Sequence, residues 1–172
     1  VRRADQPQSL LASGNIALDK VAANWLVKDI ADIPSSRVRE VRIDSQGKVL
    51  RVYKDNASEA NYRVADLPKG REAASEFVAN GFASVLSGLR FDDVLPVAAA
   101  TPGDARVWTS TYAMFDGLAV TATAWEKDGK DYATFVATLD EAVAGTHIEA
   151  AQAVERAQFE QIKAENAAAA AA

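Results

Sequence analysis

Cysteine is absent from the 172-residue sequence, and histidine occurs once, as His147. Without cysteine, the chain cannot form disulfides, thiolate nucleophiles, zinc–thiolate sites or iron–sulfur clusters. With one histidine, a Ser-His-Asp triad would have to use His147, and a histidine-rich metal site cannot form. The sequence also has no Gly-rich phosphate loop, no nucleophile elbow and no apolar run of roughly 18 residues that could span a membrane. We therefore expect no catalytic residues, no metal site and no cofactor.

Positive charge is also in short supply. The chain has 19 Lys and Arg residues against 24 Asp and Glu residues, which gives a net charge of −5. Non-specific nucleic-acid binding usually needs a large basic excess, so this balance disfavours it. Apolar residues make up 49% of the chain, an ordinary proportion for a folded protein. A chain of this length suits one domain that buries roughly 70% of the surface its unfolded form would expose.

Hydrophobic spacing predicts the elements of the first half of the chain. They are a terminal strand within Val1–Ala12, helices at Asp19–Ile30 and Arg71–Leu86, a hairpin over Val38–Tyr53 around the turn Asp44-Ser45-Gln46-Gly47, and a third strand at Tyr62–Ala65. Asp19 is the expected N-cap of the first helix. The second helix has one apolar stripe. We expect Gly88 to end it by adopting a left-handed conformation.

The second half predicts a three-stranded antiparallel meander and a helix. The strands Arg106–Phe115, Leu118–Lys127 and Asp131–Leu139 are separated by Asp116-Gly117 and Asp128-Gly129, and Asp-Gly is a strong hairpin signal. The Ala-rich residues 141–172 favour a helix from about Thr146 onward. We therefore predict an α+β domain over residues 1–140, in which one or two helices pack on the antiparallel sheet, followed by a C-terminal helix that either packs on it or projects toward a partner.

Basic residues cluster on the predicted hairpin. They are Arg37, Arg39, Arg42, Arg51 and Lys54. Such a group can bind anionic lipid headgroups, an anionic polysaccharide or an acidic partner. The favoured interpretation is a solvated face whose arginines discourage edge-to-edge pairing of strands. We name Arg37, Arg39, Arg42 and Arg51 as the candidate binding residues.

Three acidic residues and the histidine are the remaining candidates for chemistry. Asp92 and Asp93 could bind a divalent cation or act as an acid–base pair, but neighbours in a strand point to opposite faces, which favours a turn role. Asp116 precedes Gly117 and is interpreted as a turn residue. His147 lies near the start of the C-terminal helix and is interpreted as a solvated residue.

Several segments resemble the bacterial family called domain of unknown function 4340. They are Trp25-Leu26, Ile33-Pro34, Arg37-Val38-Arg39-Glu40-Val41, the run Phe82-Ala83-Ser84-Val85-Leu86-Ser87-Gly88-Leu89-Arg90-Phe91-Asp92-Asp93-Val94, and Phe115-Asp116-Gly117-Leu118. The opening Val1-Arg2-Arg3 and Gln8-Ser9-Leu10-Leu11-Ala12 also fit, except that the family pattern has Trp in place of Leu10. The resemblance covers most of Val1–Glu141 and suggests the C-terminal half of a longer protein. The shared motifs are structural, and no catalytic residue is carried over from the family.

The resemblance implies a place in the cell rather than a reaction. Members of the family look like envelope proteins with an N-terminal membrane anchor and an extracytoplasmic body, and some are linked to ABC-type exporters of the gliding-motility kind. It therefore implies a periplasmic protein, or one on the extracytoplasmic face of the inner membrane, with a protein partner in the envelope, an ABC-type transporter among the candidates. An anchor would lie in a segment outside this sequence.

Three functions remain open on these residues. The leading hypothesis is a non-enzymatic interaction or scaffold module of an envelope complex. The second is a ligand-binding domain for an anionic or sugar-like compound, which would use the Arg-rich hairpin with Trp108 or Trp125. The third is a carboxylate-based hydrolase that would use Asp92, Asp93 or Asp116.

Overall fold

The computed structural model describes residues 2, 4–11, 13–14, 19–67, 70 and 75–170. Within them the chain forms two sheets and two α-helices, in the order β1 (Asp29–Ala31), β2 (Val38–Ser45), β3 (Lys48–Tyr53), β4 (Arg63–Val64), α1 (Glu76–Ala83), β5 (Leu89–Arg90), β6 (Val107–Met114), β7 (Leu118–Lys127), β8 (Lys130–Leu139) and α2 (Glu141–Ala170). The predicted α+β class is confirmed.

The main sheet has six antiparallel strands in the order β4-β3-β2-β6-β7-β8. It joins the predicted hairpin to the predicted meander through the pairing of β2 with β6. Two-residue turns close the hairpins at Gln46-Gly47 and Asp128-Gly129, and all four residues have positive φ. That geometry matches the twist of the flanking strands, and Gly and Asp tolerate it best. The predicted four-residue turn at Asp44–Gly47 is thus shorter, because Asp44 and Ser45 still belong to β2.

Helix α1 covers one face of this sheet. Its buried residues Ala79 and Ala83, together with Leu86 just after the helix, pack in one hydrophobic core with the sheet. The small alanines let the helix backbone approach the strands closely. The other buried members of the core are Val38, Val41, Val52, Tyr62, Tyr112, Met114 and Val120. The opposite face of the central strands is threonine-rich and half-buried, with Thr109, Thr111, Thr121, Thr123 and Thr134 in register.

The predicted helix at Asp19–Ile30 is wrong. Only a 3₁₀ turn forms, at Ala22–Trp25, and the chain then enters β1, which pairs with β5 in a separate two-stranded sheet. The Asp19 carboxylate accepts hydrogen bonds from the Val21 amide and the Asn24 side chain, but Val21 is the residue that caps the turn, so the predicted N-cap at Asp19 is wrong as well. The β-branched Val27 and Ile30 that follow favour extended backbone. The apolar residues of this segment therefore have helical spacing although they form no α-helix, and within the described residues no second helix packs on the sheet.

The boundaries of the other two helices also differ from expectation. Helix α1 begins at Glu76, where the Ser75 hydroxyl accepts a hydrogen bond from the Val78 amide; residues 71–74 of the predicted helix lie outside the described residues. Helix α1 ends at Ala83, and Gly88 follows a further turn with φ of 62°. Helix α2 begins five residues earlier than Thr146, because Asp140 caps it.

The predicted terminal strand is reduced to a single bridge. In the described part of residues 1–12, Arg2 pairs with Ser9 in one isolated antiparallel bridge, and no strand forms. Residues 1, 3 and 12 lie outside the described residues.

Candidate functional site

The structure separates the basic residues of the hairpin instead of gathering them. Arg37 is paired with Asp116, at 2.5 Å between Nη2 and Oδ2, and Arg51 with Glu40, at 2.7 Å between Nη2 and Oε2. Hydrogen bonding to Glu40 raises the pKa of Arg51. Lys54 is 7% exposed, with Nζ 4.3 Å from the centre of the Tyr62 ring. Three of the five basic side chains therefore already contact partners within the fold.

Arg39 and Arg42 are the two remaining cations of this group of five, and both are exposed. Neither has an ion pair among the described residues. Arg42 lies directly opposite Arg51 on β3 and Thr111 on β6, on the threonine-rich face. Arg39 lies at the irregularity between β2 and β6. Of the four predicted binding arginines, Arg39 and Arg42 are therefore the two without an ion pair in the described part of the chain, and Arg51 lies opposite Arg42.

A charged cluster forms where the sheet meets α2. Nε and Nη2 of Arg37 both donate to Oδ2 of Asp116, and the Leu118 amide donates to Oδ1 at 3.2 Å. Partial burial acts to raise the pKa of Asp116, but the hydrogen bonds from Arg37 and Leu118, with the positive charges of Arg37 and His147, outweigh it and lower that pKa. A carboxyl group with a lowered pKa is a poor general acid at neutral pH.

The turn that carries Asp116 also supports the start of α2. Gly117 has a φ of +87°, and a Cβ placed there would lie 2.6 Å from the Asp140 carbonyl oxygen and 2.8 Å from the Ala144 amide nitrogen. The Asp140 amide donates to the Gly117 carbonyl at 2.8 Å. Only glycine fits this position, so the predicted turn role of Asp116-Gly117 is confirmed. Nothing in the sequence predicts the contact between Asp116 and Arg37, which are 79 residues apart.

The remaining acidic candidates form no ion pair among the described residues. Asp92 and Asp93 are exposed in the segment after β5, and Asp93 accepts a hydrogen bond from the Val94 amide. Among the residues that the structure describes, no three His, Asp or Glu side chains are placed to hold a metal ion.

The two tryptophans proposed for a sugar-like ligand lie on opposite faces of the sheet. Trp108 is paired with Ala124, the neighbour of Trp125, and Arg106 lies over its ring. Trp125 is 3% exposed and stacks on Tyr132, with ring centres 5.9 Å apart. Because Trp125 is buried, it cannot stack against a ligand from solvent. Of the two alternatives, Trp125 is thus unsuitable, and Trp108 is half-buried.

The largest exposed element is α2. Every residue from 146 to 167 is exposed, and its large apolar side chains are more than half accessible. Ala144, Ile148, Ala151, Phe159 and Ile162 follow each other at helical spacing and share one side, which we call the α2 stripe. Glu155 lies in the same row. A shallow depression beside Phe159 is lined by Gln152, Glu155, Arg156, Phe159 and Glu160, all from this one helix. It therefore cannot enclose a small molecule.

A second exposed apolar region surrounds the two-stranded sheet. Trp25 and Val27 precede β1, and Val94 and Val97 follow β5; all four are more than half exposed. The Phe91 amide donates to the Lys28 carbonyl, which keeps the two segments side by side. On α1, Phe77 is 84% exposed on the side away from the core. The sequence did not predict this region, because Trp25 lies within the helix that was expected at Asp19–Ile30.

Comparison with family models, curated proteins and solved structures gives no match for this chain. The resemblance noted in the sequence therefore stays a prediction. None of the helices within the described residues combines the length and apolar character needed to cross a bilayer.

Proposed function

We propose that this chain is a non-enzymatic interaction or scaffold module that meets another macromolecule through α2. The observation that carries the proposal is a 30-residue helix that contacts the other described residues only around its first turns and is exposed from residue 146 to residue 167. Most helices in proteins owe their stability to packing of an apolar face. The apolar face of α2 has no packing partner among the described residues.

The size of α2 suits a macromolecular contact. A helix of this length extends about 45 Å at 1.5 Å per residue. Alanine supports the helix without packing, because it has the highest intrinsic propensity. Ile148, Phe159 and Ile162 are each between 54% and 65% exposed, and full burial of one such side chain contributes about 1.5–3 kcal/mol. These three side chains would anchor a partner.

The charge of α2 indicates what kind of surface it meets. It carries Glu141, Glu149, Glu155, Glu160 and Glu165 against Arg156 and Lys163. Glu155 interrupts the α2 stripe, so two identical stripes would bring like charges together. A partner with an apolar groove and a Lys or Arg facing Glu155 fits better, since it would compensate a carboxylate that becomes partly desolvated.

The location of this contact is proposed from the family resemblance. We propose the cell envelope, on the extracytoplasmic side of the inner membrane, with an ABC-type transporter as the candidate complex. An upstream membrane anchor would hold the module close to such a partner and raise its effective concentration there.

Site-specific photocrosslinking tests the proposal. A photoreactive residue is placed at Phe159 on the α2 stripe or at Ala153 on the opposite side, in cells that make the intact protein. We expect a discrete adduct from position 159 and much weaker labelling from position 153. Equal labelling at both positions, or labelling at neither, would count against a contact through the stripe.

A second candidate function is the binding of an anionic compound at the hairpin. Arg39 and Arg42 favour it, because they are exposed and have no ion pair within the described residues. A polyanion such as heparin is the probe, and its binding is followed by the shift in melting temperature. Loss of the shift in the R39E/R42E double variant would support the site, and an unchanged shift would exclude it.

A further inference from the structure

The two edges of the six-stranded sheet differ in their protection. One edge is β4, a strand of two residues whose Arg63 is paired with Asp55 and Glu59. Very short edge strands with charged side chains resist pairing with another chain. The other edge is β8, which is ten residues long. The sheet is therefore protected on one side only.

Strand β8 lacks the usual protective features of an edge. From Tyr132 to Leu139 it contains no charged residue and no proline, and five of its eight residues there are β-branched or aromatic. Its register with β7 runs over ten residue pairs without a bulge. Val136 and Leu139 are each 61% exposed. A long, regular, apolar edge of this kind is a template for pairing with a further strand.

The hairpin geometry determines which backbone groups point outward. The two-residue turn at Asp128-Gly129 makes Lys127 and Lys130 the first hydrogen-bonded pair, and such pairs recur at every second residue. The even-numbered residues of β8 are thus bonded to β7. The odd-numbered residues, from Asp131 to Leu139, direct their N–H and C=O groups away from the sheet. None of these groups has a backbone partner among the described residues.

We infer that β8 pairs with β8 of a second copy of this chain, antiparallel, about a two-fold axis at Phe135. A two-fold axis perpendicular to the sheet keeps each face of the sheet continuous across the two copies. Because the outward-directed N–H and C=O groups belong to odd-numbered residues, the odd-numbered residues of one copy must lie opposite odd-numbered residues of the other. Centring the axis on Phe135 places Ala133 opposite Ala137 and Asp131 opposite Leu139. All five outward-facing residues then find partners, which centring on Ala133 or Ala137 does not achieve.

Charge complementarity supports the same register. It places Lys130 of one copy opposite Asp140 of the other, at both ends of the paired strands. Asp140 uses Oδ1 to cap α2, and its Oδ2 remains available for the lysine. Between these ends Asp131 lies opposite the uncharged Leu139, and residues 132–139 are neutral, so the pairing brings no like charges face to face.

Helix α2 leaves the edge accessible. Gly117 lies so close to Asp140 and Ala144 that the first turn of α2 is held against the β6–β7 turn, on the inner side of β8. The inference goes beyond the proposed function, because it concerns β8 rather than the α2 stripe, and it stands independently of that proposal.

The mass of the purified chain in solution, measured by light scattering or sedimentation, tests the inference. We expect a dimer. Val136→Lys, which adds an edge lysine of the kind that blocks strand pairing, should convert it to a monomer with an unchanged circular dichroism spectrum. Val49→Lys is the matched control, because Val49 is also exposed on a strand but lies on β3, at the opposite side of the sheet from β8, and it should remain dimeric.

Cysteine crosslinking tests the register, since the chain has no cysteine of its own. Hydrogen-bonded residues on antiparallel strands lie about 5.5 Å apart at Cα, within disulfide range. A133C/A137C should therefore form a disulfide-linked dimer under mild oxidation, while A133C alone should not.

Three results would overturn the inference: a monomer at all soluble concentrations, a dimer unaffected by Val136→Lys, or crosslinking of A133C alone at the same rate as the double variant. A dimer lost in F159E/I162E and kept in V136K would also overturn it, by placing self-association on the α2 stripe instead.

Discussion

Arg37 and Asp116 join the start of β2 to the β6–β7 turn through two hydrogen bonds, 2.9 Å from Nε and 2.5 Å from Nη2 to the same carboxylate oxygen. The next residue, Gly117, supports the first turn of α2. This end of the sheet therefore sets the direction in which the exposed helix leaves the domain, and it links the stability of the fold to the presentation of α2.

Asp116→Asn should destabilise the protein at neutral pH by about 0.5–1 kcal/mol, a modest value because the ion pair is partly exposed and screened by solvent. The folded state lowers the pKa of Asp116 from 3.8, so the stabilisation is present above that value and is lost as the pH falls through the folded pKa. Urea unfolding at pH 7 and at acidic pH measures this. A stability difference that stays the same at both pH values would contradict the ion pair as its source.

Gly117→Ala should destabilise the protein far more than Gly129→Ala. Both glycines have positive φ, but a Cβ at position 129 meets no atom within 4 Å, whereas one at position 117 meets the backbone of α2. We expect about 1–2 kcal/mol for the conformational cost at position 129, and a larger loss at position 117. Chemical denaturation of the two variants makes the comparison. Equal losses of stability in the two variants would mean that the close approach of Gly117 to α2 does not affect the free energy of unfolding.

Leu86→Ala should cost about 2–5 kcal/mol, because Leu86 is fully buried between α1 and the sheet. Val85→Ala is the matched control, since the neighbouring Val85 is 47% exposed, and it should cost well under half as much. Thermal unfolding of both variants is the measurement. Comparable costs would show that α1 does not pack on the sheet as described.

Tyr62 should give the protein an alkaline limit of stability. Burial raises the pKa of Tyr62 to about 12, and its hydroxyl lies 2.6 Å from the Ser35 carbonyl oxygen and 2.5 Å from that of Val38. Because the folded pKa is above the unfolded value of 10.0, the stabilisation is complete below pH 10 and is lost as the pH rises toward 12.

The variant Tyr62→Phe should therefore be less stable by about 1 kcal/mol at pH 7, through loss of this hydrogen bond. The deficit should shrink above pH 10, which denaturation at several pH values measures. A deficit that is constant across this range would contradict a buried, protonated tyrosine.

The strands and turns of the main sheet could be predicted from the sequence, whereas the contacts of the candidate site could not. The turns at Gly47, Gly117 and Gly129 have local causes, so the hairpin and the meander could be predicted from short-range patterns. The segment after Asp19 could not, because its apolar spacing fits a helix while its β-branched residues and its pairing with β5 favour extended backbone. The partner of each hairpin arginine also depends on tertiary contacts, and Arg37 shows this most clearly, since its partner is 79 residues away.

The exposure of the α2 stripe could not be predicted from the sequence either. The interval between Ile148, Phe159 and Ile162 predicts an apolar stripe on α2, but whether the stripe packs on the domain depends on the direction in which α2 leaves β8. The close contact of Gly117 with Ala144 determines that direction.

The central claim is that α2 is the surface through which this module binds its partner. Crosslinking and affinity purification of the intact protein measures it most directly, with F159E/I162E compared with A153E/A164E, which adds the same charge on the opposite side of the helix. We predict that a specific envelope partner co-purifies with the unmodified protein and with A153E/A164E and is lost from F159E/I162E. Recovery of the same partner with both double variants would contradict the claim.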